Sequence, residues 1–233
     1  KHTKNLSKIL KICYHNNWIE KDLVIFYKGR FNEVNVNFLT DEELSSIREK
    51  EFSGKGLELV RDMFVFSCYT GLAYIDIFNL TKDQLSKGID GNLWIITNRQ
   101  KTGSTSNIPL LPVAEEIIKK YENHPVSSNS GKLLPVYTNQ KVNEYLKTIA
   151  ENCGINKKLT FHCARHTFAT TVTLGNNVSM ESVSKMLGHK SIKTTQHYAK
   201  ILDSKVSQDM GSLKLVLEKK NEVQKENDKK LGS

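Results

Sequence analysis

From Leu85 to Leu111 the chain departs from the helical spacing of apolar residues that governs most of its length. Leu93-Trp-Ile-Ile-Thr97 is rich in β-branched and aromatic side chains, Lys101-Thr-Gly-Ser104 supplies a turn, and Asn107-Ile-Pro-Leu110 reads as a short return strand. On either side, apolar residues recur three and four apart. Leu59, Met63, Phe64 and Phe66 line a helix running from about Gly56 to Gly71, and a shorter helix follows through Ile75 to Leu80. Further helices are expected at Val113–Tyr121, Asn139–Asn152, Phe161–Leu174 and Met180–Leu187. One hairpin-like island among helices predicts a mainly α fold with a small antiparallel β-sheet.

The ends read differently. Leu6, Ile9, Leu10 and Cys13 give Thr3–Asn16 one apolar helical stripe, followed at Tyr27–Asn37 by a polar connector. Thr40-Asp-Glu-Glu43 then forms a capping box for a new helix, which sets a boundary near Phe38. The expected parts are 1–37, 38–211 and 212–233. Because the first residue is Lys1 and not Met, the first part reads as the end of something upstream. In the last part Leu213, Val216 and Leu217 make a short apolar stripe before the almost wholly polar stretch Asn221–Lys230, which cannot hold a fold alone.

The 233 residues are 38% hydrophobic, enough for a proper core, and 34 Lys and Arg against 25 Asp and Glu leave a net charge of +9. Such a balance favours a polyanionic partner. Cys13, Cys68, Cys153 and Cys163 form no C-x-x-C pair and read as free thiols in a reducing compartment. No apolar run approaches the roughly 20 residues that span a bilayer. A cytoplasmic protein is therefore expected. No Gly-rich phosphate loop and no carboxylate cluster suited to two-metal catalysis is present, Asp41-Glu-Glu43 being helix capping, so no metal or cofactor is expected.

The residues that carry chemistry lie late in the chain. His162 and Arg165 are three apart, so on a helix they share a face and can address one anion. An arginine fork fits two phosphate oxygens, and a histidine donates a hydrogen bond or moves a proton near neutral pH. His189 follows in a Leu-Gly-His triplet, and Tyr198 comes nine residues later. The ordered set Leu159-Thr-Phe-His-Cys-Ala-Arg-His-Thr-Phe-Ala-Thr170, Met186-Leu-Gly-His-Lys190 and Thr194-Thr-Gln-His-Tyr198 resembles the tyrosine recombinase (phage integrase) family, over roughly Phe38 to Leu202.

The resemblance implies the tyrosine recombinase catalytic domain fold and double-stranded DNA as substrate. Tyr198 would be the nucleophile, leaving a 3′-phosphotyrosyl bond and a free 5′-hydroxyl without metal or ATP. Chemistry supplies the remaining roles: His162 for proton handling, and Arg165 for the non-bridging oxygens, with His189 as a further donor. Lys101 resembles the family's hairpin lysine, which can protonate the departing 5′-oxygen. His166 and His197 match no catalytic position and read as packing or supporting groups. The family further implies a homotetramer on two duplexes linked by exchange of C-terminal segments, accessory DNA-bending proteins, and no membrane. The first 37 residues would be the end of a core DNA-binding domain and its linker.

One position departs from the pattern. Most members carry Thr-Gly-Leu-Arg, the arginine completing the phosphate clamp, whereas this chain has Tyr69-Thr-Gly-Leu-Ala-Tyr-Ile-Asp76 with Ala73 in that place. Two arginines are candidate replacements. Arg99 shares a strand face with Lys101. Arg61 lies twelve residues before Ala73, about 18 Å along a straight helix, and serves only if the chain folds back after Gly71. Arg99 ranks above Arg61. The Thr-Gly-Leu-Ala-Tyr-x-Asp form resembles integrases of conjugative transposons in Bacteroides-type bacteria, with Asp76 a supporting acid or a helix N-terminal residue. Two rivals stay open: a non-catalytic helix-turn-helix regulator built on Val178–Thr195 about Gly188, and a type IB topoisomerase.

Overall fold

A computed structural model describes residues 2–25 and 36–199, together with 210, 211, 213, 214 and 217. Most of the polar connector, Val216 and the polar tail lie outside the described residues. The chain divides into two compact units, 1–35 and 36–233.

In the first unit α1 spans His2–His15. It closes with Asn17 in the left-handed region (φ 55°), while the Trp18 amide donates to the Cys13 carbonyl at 2.8 Å, the bond of a Schellman-type end. Leu6, Ile9 and Ile12 on this helix are exposed.

The second unit is mainly α-helical with one three-stranded antiparallel sheet, as the hydrophobic pattern predicts. Helix α2, Asp41–Glu49, begins with the expected capping box: the Glu43 amide donates to Thr40 Oγ1 at 3.3 Å and the Thr40 amide to Glu43 Oε2 at 2.8 Å. Helix α3, Lys55–Thr70, is buried over most of its surface and stops at Gly71 (φ 70°); α4, Tyr74–Asn79, follows at once. Strands β1 Leu85–Lys87, β2 Leu93–Asn98 and β3 Thr105–Pro109 lie in that order, with Ile95 opposite Ile108. Along β2 and β3 the residues Ile95, Thr97, Ser106 and Ile108 turn inward, which leaves the Arg99–Ser104 turn projecting from the sheet.

Helices α5 Pro112–Tyr121, α6 Pro125–Ser130, α7 Asn139–Asn152 and α8 Phe161–Thr167 complete the main core, where Phe64 meets Phe161 edge-on at 6.2 Å. A continuous helix to Leu174 was expected after Phe161. Instead α8 widens into a π-helical segment, Phe168–Thr173. Its threonines turn back on the backbone: Thr170 Oγ1 donates to the His166 carbonyl at 2.8 Å, and Thr173 Oγ1 to the Phe168 carbonyl at 2.7 Å. Helices α9 Met180–Met186 and α10 Lys193–Ala199 follow, and a second apolar cluster gathers Phe168, Ala169, Leu174, Val183, Leu187 and Tyr198. Among the described residues no helix is long and apolar enough to cross a membrane. Leu213 and Leu217 of the terminal stripe are exposed. The four cysteines are free, Cys68 and Cys163 buried and the other two partly so.

Candidate active site

Three chain reversals bring the site together. The first is the end of α3. Gly71 is left-handed, and a Cβ there would lie 2.5 Å from the Phe168 ring and 2.9 Å from Leu187, so only glycine fits. Its free carbonyl accepts from Arg165 Nη1 at 2.6 Å. The second reversal is the Leu-Gly-His triplet. Gly188 (φ 58°) caps α9, the His189 amide donates back to the Ser184 carbonyl at 3.0 Å, and the Leu187 carbonyl accepts from Arg165 Nη2 at 2.5 Å. The third is the hairpin turn, closed by the Gly103 amide on the Arg99 carbonyl at 2.8 Å, with Lys101 exposed at its tip.

Arg165 is 3% exposed, yet among the described residues it has no carboxylate ion pair. Its Nη2 also lies 3.3 Å from His189 Nε2. An arginine can only donate, so Nε2 accepts here and the His189 proton sits on Nδ1, which donates to Thr195 Oγ1 at 2.8 Å. Burial, and next the charges of Arg165 and Arg99, push His189 down to about 4 and keep it neutral. Burial and Arg99 lower Arg165 to about 10, still charged at neutrality, while Tyr198 and Asp76 act the other way.

Tyr198 is 5% exposed and stacks on His189 with ring centroids 6.4 Å apart and planes 9° apart. Burial raises its phenol above the ordinary value; Arg165 and Arg99 oppose that by favouring the phenolate. The hydroxyl shares a hydrogen bond of 3.1 Å with His166 Nδ1. His162 sits at the exposed edge of α8, its ring 4.3 Å from that of His166. Its pKa is lowered by burial and then by Arg165, Lys101 and Arg99.

The two candidate replacements for the missing arginine part company. Arg99 lies against the Leu-Gly-His turn: a Cβ on Gly188 would come within 2.7 Å of Arg99 Cδ. Its charge acts on His162, Arg165, His189 and Tyr198, and its buried Nε has no hydrogen-bond partner among the described residues. Asp76 Oδ1 accepts the Gln100 amide at 3.1 Å, fixing the backbone between Arg99 and Lys101. Arg61 is engaged elsewhere. Its Nη1 donates to the carbonyls of Arg48 and Lys50 at 2.9 and 2.8 Å, and its Nε makes an ion pair with Asp62 at 2.5 Å, without hydrogen-bond geometry. Ala73, at the start of α4, lines with His162 a cavity of about 500 Å³.

A profile of the phage integrase family matches residues 37–205. The chain belongs to that family. Tyrosine recombinase XerC of Rickettsia massiliae (strain Mtu5) is 30% identical over 171 residues, covering 68% of this chain and 50% of that protein. Tyrosine recombinase XerD of Lacticaseibacillus casei is 30% identical over 172 residues, 69% and 57%. The chain spans about half the length of the curated relatives it matches. Among solved structures, a lambda integrase dimer bound to a COC′ core site superposes with a TM-score of 0.65 at 19% identity, covering 84% of this chain and 70% of that one. XerA recombinase gives 0.61 at 20% identity, 91% and 75%. The integrase fold is thus the fold of this chain.

The family resemblance grouped Arg165, His189 and Tyr198, which the structure brings to one place; it read His166 only as a packing or supporting group and gave Thr195 no role. His166 follows Arg165 directly and lies four residues after His162; Thr195 lies three before Tyr198 on α10. Both intervals are one helical turn, a signal present but shared with many helical neighbours. Helices do flank Gly188 as a helix-turn-helix requires, but the integrase α10 turns Thr195 and Tyr198 inward, at 0% and 5% exposure.

Proposed function

We propose that this chain is the catalytic portion of a site-specific DNA recombinase of a mobile genetic element, akin to integrases of Bacteroides-type conjugative transposons. One observation carries the reading: a buried guanidinium with no carboxylate ion pair among the described residues, electrostatically coupled to the phenol of Tyr198 and to a second arginine, Arg99. Such a group is stabilised by an entering phosphodiester.

Tyr198 attacks the phosphorus, its oxygen replaces the 5′-oxygen, and the strand is held as a 3′-phosphotyrosine. Arg165, Arg99, His162 and His189 bear on the non-bridging oxygens, and Lys101 gives a proton to the leaving 5′-oxygen. For His189 to donate to phosphate, its Nε2 must carry the proton; Thr195, whose hydroxyl donates or accepts, permits that exchange. Arg99 replaces the clamp arginine absent at Ala73, because its Nε is buried without a hydrogen-bond partner among the described residues and its charge acts on His162, Arg165, His189 and Tyr198; Arg61 is spent on its own ion pairs. Residues 1–37 end a core DNA-binding domain and linker, the 38–211 part is catalytic, and 212–233 docks on a neighbour in a tetramer on two duplexes. Accessory DNA-bending proteins assist, and the protein works on the nucleoid in the cytoplasm.

The test is a nicked duplex carrying the element's crossover site, found by sequencing DNA recovered from covalent adducts. The wild type forms a protein–DNA adduct and Tyr198→Phe forms none; equal binding without adduct from either would instead mark a regulator. Joining to a second duplex separates a recombinase from a topoisomerase. Arg99→Ala slows adduct formation roughly 10²-fold, whereas Arg61→Ala leaves it unchanged per folded molecule. If Arg99→Ala cleaves at the wild-type rate, the replacement assigned to Arg99 is wrong.

A further inference from the structure

Among the described residues the nucleophile's hydroxyl has one hydrogen-bond partner, and it is none of the groups to which the family pattern gives chemistry. Tyr198 Oη lies 3.1 Å from His166 Nδ1. The two rings are tilted by 53° with centroids 5.5 Å apart, and the other ring stacked on the tyrosine, His189, points its nitrogens at Arg165 and Thr195. Tyr198 is nearly buried, so its hydroxyl is held there and not in water. His162 occupies a different position. It is exposed, its side chain makes no hydrogen bond among the described residues, and its ring packs against that of His166.

We propose that His166, and not His162, is the base of the cleavage step: its Nδ1 takes the phenolic proton as Tyr198 attacks, and returns it when the strand is rejoined. The proposal rests on the recombinase reading given above. Atoms and charge balance. The Oη–H bond breaks and its proton passes to Nδ1; the Oη–P bond forms and the P–O5′ bond breaks, its electron pair going to the 5′-oxygen. Lys101 supplies the proton that makes the free 5′-hydroxyl. In the covalent complex His166 is an imidazolium and Lys101 a neutral amine. Rejoining reverses both transfers.

The environment suits that role. A base must arrive unprotonated, and burial, followed by the neighbours His162, Arg165 and His197, each of which disfavours a second positive charge there, holds His166 neutral with a pKa of about 4. The phosphodiester in the Arg165 clamp brings the opposite charge next to those neighbours and raises the basicity of His166 as the attack begins. His162, freed from the tyrosine, stands at the open edge where a phosphate oxygen is met. Accepting at Nδ1 requires the neutral tautomer with its hydrogen on Nε2.

His166→Ala and His166→Asn separate holding from proton transfer. Asn places an amide atom where Nδ1 stood and keeps a hydrogen bond to Tyr198, but it takes no proton. In the full chain on the nicked duplex, both variants should slow single-turnover adduct formation at saturating DNA by about 10²–10⁴-fold. The DNA concentration for half-saturation and the melting temperature should stay at wild-type values, and added imidazole should speed His166→Ala without affecting His166→Asn. A His166→Asn variant that cleaves at the wild-type rate would reduce His166 to a holding contact and overturn the proposal. So would a His166→Ala variant that cleaves faster, since the bond would then be a latch. Failure of the recombinase reading looks different: the wild type itself would form no adduct. The proposal is then still judged by ¹⁵N spectra of the wild type, in which His166 must carry its hydrogen on Nε2; a hydrogen on Nδ1 would sink it.

Discussion

Arg61 and Arg165 are both largely buried, and both donate to two backbone carbonyls, yet their charge is met in opposite ways. Arg61 sits on α3 among acids. Asp62 and Glu58 lie 2.5 and 3.8 Å from its guanidinium, and Asp62 also takes Lys120 Nζ at 2.7 Å and the Tyr121 hydroxyl at 2.8 Å. That network ties α3 to α5. Arg165 has the carbonyls of Gly71 and Leu187, a neutral histidine, and Arg99 for an electrostatic neighbour. A buried charge matched by carboxylates is a structural fastening. A buried charge that is hydrogen-bonded only to neutral groups, with Asp76 acting on it without an ion pair, keeps the fork geometry and leaves the paired anion to come from outside.

The sharpest way to break the contrast is to keep each charge and remove each fork. Arg165→Lys should lower adduct formation roughly 10³-fold, because a point charge neither spans the two carbonyls nor grips two phosphate oxygens. Arg61→Lys should leave the rate per folded molecule untouched and reduce only thermal stability. If Arg61→Lys proves the slower enzyme, the two arginines have been assigned the wrong way round. A smaller effect is expected from the acid side. Asp62→Ala strips Arg61, Lys120 and Tyr121 of their shared partner and should cost about 2–3 kcal/mol, read by urea unfolding. Adduct formation by the folded fraction should persist.

The hydrophobic pattern made most of this fold readable, since helix and strand periods are set by local burial: α3, α7 and the β2–β3 hairpin lie where the spacing puts them. The π-helical segment at Phe168–Thr173 was not readable. A run of threonines has the same apolar spacing whether its hydroxyls face solvent or turn back on the backbone, and only the buried setting makes them turn back. The site divides in the same way. Arg165, His189 and Tyr198 could be read because the segments that carry them resemble, in order and spacing, the tyrosine recombinase pattern. The role of Arg99 needed the close approach at Gly188, and the bond from His166 to Tyr198 needed α8 and α10 to meet in space. Arg61 against Arg99 was a question of which partners each side chain finds, and sequence distance from Ala73 carries little of that.

The least effect, and the one that maps the contrast onto stability, comes from acid. His166 and His189 both have pKa values of about 4 in the fold, below the ordinary 6.5. Below pH 6.5 the unfolded chain therefore binds protons that the folded one refuses. Stability is full above about 6.5 and falls as the pH drops toward 4, by roughly 1–2 kcal/mol per histidine at pH 5. The loss should be local, because both histidines lie against the ring of Tyr198, a member of the smaller apolar cluster with Phe168 and Leu187, and neither is part of the Arg61–Asp62–Lys120 network that joins α3 to α5. Hydrogen exchange at pH 5 should accelerate in α9 and α10 before it does in α3 and α5. His189→Asn should flatten the pH dependence of the urea midpoint by about half. Uniform acceleration across all four helices would mean that the two regions share one stability, and that the difference between their arginines is chemical without being structural.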